Sequence, residues 1–265
     1  MLYIFLIFES IYQLCYYDLF FGANSIVFVE PNSIGFFKDF AFLLYNSESV
    51  SLSTYFICAT LILSLLNLFT TRFHFITDFL LWFLVINLHH RIYPALTGGD
   101  NLVNQFLFFN CFLSATFLIQ TSWKSELKIC FHNIALVAII IQVCLVYFLS
   151  ALAKLSDTEW RGGSALIAIS QIRHFSLFSS PGSDKTLEPV LIFLNYVVLF
   201  YQLLFPVLIW VKRIKKPLLI LGILMHVYIA FVMGLVSFGF IMILAYVFFW
   251  PDKLWSGKFF RLLFS

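Results

Sequence analysis

Two polar clusters in an otherwise oily chain hold the residue types that could do chemistry. One is Asn87-Leu88-His89-His90-Arg91 with Gly98-Gly99-Asp100, and the other is Lys154-Leu155 with Trp160-Arg161-Gly162-Gly163. A lysine at the edge of an apolar segment is a partly desolvated amine, and such an amine is a usable general base near neutral pH. Trp160, six residues beyond Lys154, either marks the membrane interface or forms one wall of a site, while Gly162 and Gly163 let the backbone turn back. Polarity is costly inside a bilayer, so clusters of this kind usually serve a purpose.

Plainer roles compete at each position. Lys154 and Arg91 could simply extend their heads to the interface. Asp100, after Gly98-Gly99 in a tight turn, is placed to cap the following helix through its free backbone N–H groups. His226, in Met225-His226-Val227-Tyr228, is either a core histidine bonded to another helix or part of the same polar pocket. Glu9, inside the first apolar stretch, reads foremost as a structural hydrogen-bonding group, with site membership as the alternative. A metal needs three or four converging ligands, and adjacent histidines on a helix point about 100° apart. Glu9 and His226 are conceivable extra ligands, yet no spacing demands them, so no metal is expected. Asn67, Asp78, Asn110, Gln142, Asn195 and Gln202 read as glue between helices. His74, His132 and His174 fall in or near loops.

The elements that position these residues follow from composition. Hydrophobic residues make up 62% of the 265 and charged residues 11%, against roughly 45–50% and about 25% in soluble domains. The expectation is a polytopic membrane protein, one domain over residues 1–265 with no soluble part. Its apolar runs far exceed the roughly ten residues of a barrel strand, so the fold class is all-α. Spans are predicted at Leu2 to Phe21, Leu52 to Thr70, Phe75 to His90, Leu102 to Thr121, Phe131 to Ala153 and Pro189 to Val211. The stretch from Pro217 to Trp250 would be about 50 Å long as one helix, too long for a core of about 30 Å. Gly234 and Gly239 offer a turn that divides it, giving about eight helices.

The first stretch lacks a basic start and a small-x-small cleavage pattern, so it is read as a retained helix. The first loop could hold an amphipathic helix around Phe36 to Leu44, and a re-entrant or interfacial helix is expected near residues 165–178. Loops one, three and five carry Lys38, Arg91, Lys154, Arg161, Arg173 and Lys185. The other side carries Arg72, Lys124, Lys128, Lys212, Arg213, Lys215, Lys216, Lys253, Lys258 and Arg261, packed more densely. The positive-inside rule then puts both termini in the cytoplasm and both polar clusters on the other side, which in a bacterium would be the outer face of the inner membrane; a bacterial inner membrane is the expected location. Membrane lipids are the expected surroundings, and the formal charge of +3 gives no sign of nucleic-acid binding. Five scattered cysteines read as core packing.

Three stretches together resemble the HTTM family, the membrane domain shared by vitamin K-dependent gamma-carboxylases and their bacterial relatives. They are Leu88-His89-His90-Arg91 through Gly98-Gly99-Asp100; Tyr147-Phe148 through Ala153-Lys154-Leu155 to Trp160 and Gly163; and His226 through Gly234-Leu235-Val236-Ser237-Phe238 to Pro251-Asp252. The resemblance implies that Lys154 is a base acting on a hydroquinone, that His90 or His89 is its polar partner, and that Trp160 walls the pocket. Arg91, Asp100, Arg161 and His226 would line it. The carboxylases carry a lysine pair where this chain has Ala153-Lys154, and a lumenal domain for which no counterpart is expected here. The short bacterial members, among them the membrane protein that helps mature a sporulation-delaying peptide toxin, are therefore the better match.

The leading expectation is an enzyme that modifies or matures a peptide or lipid-soluble substrate at the outer face, with a quinone as cofactor and a small secreted peptide as the partner. The alternative is a non-enzymatic immunity or assembly factor whose polar clusters only hold helices together. A transporter ranks third, because no inverted repeat or pair of broken helices is visible.

Overall fold

An apolar run in lipid must bond its backbone groups within itself, and a helix does so locally. In the computed structural model, which describes residues 1–22, 25, 50–69, 74–113, 123–172 and 185–249, all regular structure is helical. Four helices are long and apolar enough to cross a membrane: Leu52–Phe69, Cys130–Ser156, Glu188–Leu208 and Lys212–Phe231. Their outer faces are large apolar side chains, Phe193 being 67% and Phe231 63% exposed, which suits lipid and not water. The chain is a polytopic all-α membrane protein.

The eight crossing helices expected from hydropathy are thus four by length and apolarity among the described residues. Leu2–Cys15 and Val236–Phe249 are apolar but shorter; 14 residues at 1.5 Å each reach about 21 Å, less than the roughly 30 Å core. The helix His74–Arg91 holds Asp78 and ends in His89-His90-Arg91, which makes it too polar to qualify by itself. The span expected at Leu102 to Thr121 is described only as a helix over Gly98–Asn110. The helix expected at Phe36 to Leu44 lies outside the described residues.

The chain divides into two units, Met1–Leu136 and Val137–Ser265. In the first, α1 (Leu2–Cys15) packs on α3 (Val50–Phe69), α3 on α4 (His74–Arg91), and α4 on α5 (Gly98–Asn110), with α2 (Tyr17–Phe20) following α1. Phe21, Ile57, Leu88 and Ile92 form a buried knot beside His89. Polar side chains in these helices often bond their own backbone one turn back, as Thr60 does to the Phe56 carbonyl (2.9 Å) and Asn87 to that of Phe83 (2.8 Å). Asn87, expected beside the histidines, is therefore partnered within its own helix.

The second unit begins inside α6 (Trp123–Ser156) and continues through α7 (Thr158–Gly162), α8 (Ala165–Gln171), α9 (Glu188–Leu208), α10 (Lys212–Phe231) and α11 (Val236–Ala245). The long apolar stretch does divide where expected, with Gly234 at φ +75° between α10 and α11. Gly239 does not turn the chain; it is helical, and a Cβ there would stand 2.6 Å from the His226 carbonyl oxygen and 2.7 Å from Ala230 Cβ. It lets α11 lie close against α10. The basic run from Lys212 is the first turn of α10, and Pro217 sits inside that helix.

The helix expected near residues 165–178 is described over Ala165–Gln171, where it packs on α9, and residues 173–178 lie outside the described set. Among the cysteines only Cys111 is buried, whereas Cys15 and Cys130 are exposed on apolar helix faces. Core packing explains the first and not the other two. His132, assigned to a loop edge by hydropathy, is buried within α6, because that helix starts at Trp123 and not Phe131.

Candidate functional site

The chemistry around Lys154 begins with a helix that stops and restarts. Asp157 breaks α6 in an extended conformation and caps α7 by accepting the Glu159 N–H at 2.8 Å. At the far end Gly163 sits at φ +84°; its N–H reaches the Trp160 carbonyl, and the Ser164 N–H reaches that of Glu159 at 3.0 Å. Those two bonds are a Schellman closure, which glycine permits because it lacks a Cβ. Gly162 is helical with open space around it, so Gly163 alone carries the turn.

From α9, Asn195 donates to the Trp160 carbonyl and Tyr196 to the Arg161 carbonyl, both at 2.9 Å. These bonds fix the reversal, and Trp160 comes under Lys154, with Nζ 5.0 Å from the ring centroid. Lys154 also donates to Ser150 Oγ at 2.9 Å. A cation over an indole face is stabilised by about 0.5–2 kcal/mol. The amine is half-buried, its partners are neutral, and among the described residues no carboxylate pairs with it. The Arg161 side chain is exposed, and it is the Arg161 carbonyl that helps build the loop.

The histidine cluster lies in the first unit. His89 is fully buried, and its Nε2 lies 2.8 Å from Glu9 Oε1, itself bonded by Gln13 Nε2 at 3.2 Å. A carboxylate oxygen of Asp100 joins them, all three ligand atoms lying within 4.8 Å of one another. Asp100 is the third residue of α5 and closes a capping box, accepting the Thr97 N–H at 2.6 Å and hydroxyl at 2.8 Å. Gly98 and Gly99 are therefore the helix's first turn and not a turn before it. His90 and Arg91 are half-buried and outside this trio. Of the two histidines, His89 is the one set among carboxylates, and Glu9 is its partner.

Two further polar clusters escaped the sequence reading as units. Asp78, buried in α4, accepts from Tyr3 (2.7 Å), Asn67 (2.8 Å) and Asn110 (2.9 Å), so these residues join four helices. In the second unit Tyr201 donates to the Leu218 carbonyl at 3.3 Å, which spends its one proton. Tyr246 then donates to Tyr201 (2.9 Å), Tyr147 to Tyr246, and His226 Nε2–H to Tyr147 (2.7 Å). That order leaves His226 Nδ1 as an acceptor, buried and without a partner. A Cβ on Gly222 would collide with the Tyr201 and Tyr246 hydroxyls, so glycine makes room for the chain of phenols. The signal for it was three tyrosines inside apolar helices, since a buried phenol seeks a hydrogen-bond partner.

No family model matches the chain, and no solved structure matches it. A Bacillus subtilis protein, "Uncharacterized protein YitO", is 32% identical over 106 residues, 38% of this chain and 34% of that protein. The chain thus spans about a third of the length of that relative.

Proposed function

We propose that this protein is an HTTM-like membrane enzyme that modifies or matures a peptide or lipid-soluble substrate at the extracytoplasmic face, with Lys154 as its base and a quinone or hydroquinone as its cofactor. The observation that carries the reading is the setting of Lys154: a half-buried amine at a helix end, held by Ser150 and the Trp160 face with no carboxylate among the described residues. A lysine meant only to reach the interface needs no such loop. A hydroxyl and a ring face favour the charged form less than a salt bridge would, so less is lost when the amine gives up its proton. Trp160 would form one wall of the site.

The loop charges support both termini in the cytoplasm, which in a bacterium gives the Lys154 loop the outer face of the inner membrane. Leu2–Cys15, Gly98–Asn110 and Val236–Phe249, which are shorter, and His74–Arg91, which is more polar, would serve as crossings beside the four long apolar ones, making eight.

The test compares wild type with Lys154→Ala and Lys154→Arg in a producing strain, and measures by mass spectrometry the lipid-soluble molecules that co-purify. The expected result is a quinone enriched in wild type and lost in Lys154→Ala, with both variants expressed normally and inactive. Wild-type phenotype in both variants refutes the base. Equal recovery of bulk lipid alone, with loss of phenotype matching loss of thermal stability, transfers the reading to a non-enzymatic assembly or immunity partner.

A further inference from the structure

Glu9, His89 and Asp100 are 80 and 11 residues apart in sequence and come from three different helices, α1, α4 and α5. One imidazole and two carboxylates share a space where all three ligand atoms lie within 4.8 Å, with His89 wholly buried and Asp100 9% exposed. Two like charges at that distance in a low-dielectric setting repel strongly. Something positive between the groups would relieve the repulsion, and the candidates are a proton on His89 or a cation.

The surroundings suit a cation. Each ligand is oriented from behind by a neutral group: Gln13 bonds Glu9, Thr97 bonds Asp100 twice, and Asn104 interacts with His89. His89 Nδ1 and Asn104 Oδ1 are both buried without a hydrogen-bond partner. With its proton on Nδ1, His89 presents the Nε2 lone pair toward Glu9, and a cation between them takes the place that the proton holds in the other tautomer. Outer groups that fix the tautomer and aim the ligand are the common support of a metal site.

We propose that Glu9, His89 and Asp100 bind one divalent transition-metal ion. One imidazole and two carboxylates suit Zn²⁺ or Mn²⁺, while Mg²⁺ and Ca²⁺ prefer oxygen alone. Three protein ligands leave a position open for water or substrate. The inference does not rest on the role proposed for Lys154.

The full chain, purified in detergent and stripped with EDTA, is loaded with Zn²⁺, desalted and analysed for metal by mass spectrometry. The expected uptake is about one Zn²⁺ per chain, retained against excess Mg²⁺. Glu9→Gln and His89→Gln should weaken uptake by more than about a hundredfold, while Lys154→Ala retains it. A Co²⁺-loaded wild-type protein should show visible absorption bands, which read the site without any variant. Absence of stoichiometric uptake by wild type, displacement by Mg²⁺, or full uptake by folded Glu9→Gln and His89→Gln overturns the site and leaves a protonated His89 between two carboxylates. Loss of phenotype in Lys154→Ala with Zn²⁺ still bound separates the fate of the two readings.

Discussion

Gly162 and Gly163 are neighbours in sequence that should respond to the same substitution with opposite signs. Gly163 sits at φ +84°, where an alanine is disfavoured by about 1–2 kcal/mol. A Cβ there would also stand 3.1 Å from Ile192 Cγ2 and 3.2 Å from the Tyr196 ring and hydroxyl. Tyr196 must then move, and its bond to the Arg161 carbonyl, 2.9 Å long, is the contact it gives up. A hydrogen bond of that kind contributes about 0.5–1.5 kcal/mol. Gly163→Ala should therefore cost about 1.5–3.5 kcal/mol. Gly162 is helical with nothing within 4 Å of a new Cβ, so Gly162→Ala should gain about 0.4–1 kcal/mol. Reversible unfolding by SDS in mixed micelles measures both. Gly163→Asn separates the two costs, because asparagine tolerates the left-handed region but keeps the Cβ. Equal shifts for the two alanine variants, or a Gly163→Ala variant as stable as wild type, would refute the account of the Lys154 loop.

The same unfolding assay tests the other supports. Thr97→Ala removes the hydroxyl of the α5 capping box and should cost about 1 kcal/mol, with Thr97→Ser close to wild type; equal losses in the two would mean the box is not what holds that turn. Tyr147→Phe leaves His226 Nε2–H without its acceptor and Tyr246 without its donor, for about 1–3 kcal/mol. A neutral result there would show that the order of donors along the phenol chain is wrong.

Much of this was legible in the sequence, and the reasons differ by residue. The division of the last apolar stretch at Gly234 follows from length against bilayer thickness, which is a local rule. The capping role of Asp100 also reads from neighbours, although the box is closed by Thr97, one position before the glycine pair. Lys154 and Trp160 were paired by spacing alone, and a short helix between Asp157 and Gly163 brings them together. Glu9 was readable only as a conceivable extra ligand for the histidines and not as the partner of His89, because 80 residues separate them and no periodicity links one helix to another. The phenol chain of Tyr147, Tyr246 and Tyr201 was hidden for the same reason, since tyrosine in an apolar run looks like one more large side chain.

Hydrogen-bond accounting separates glue from sites among these buried groups. Asp78 receives three donors, two amide groups and a phenol, and a carboxylate so supplied gains nothing from a ligand. The three phenols spend each proton on the next and end on a backbone carbonyl, so that chain is closed at one end and open only at His226 Nδ1. Such clusters fasten helices, and replacing one member should be read in stability. Lys154 is different: three N–H donors meet one hydroxyl and one ring face, so the amine keeps capacity for another partner. Glu9, His89 and Asp100 differ in the other sense, with more acceptors than the neighbouring donors fill and more negative charge than one imidazole offsets. An unmet polar group in hydrocarbon is costly, so these two imbalances, rather than Asp78 or the phenols, are where a partner from outside the chain is proposed.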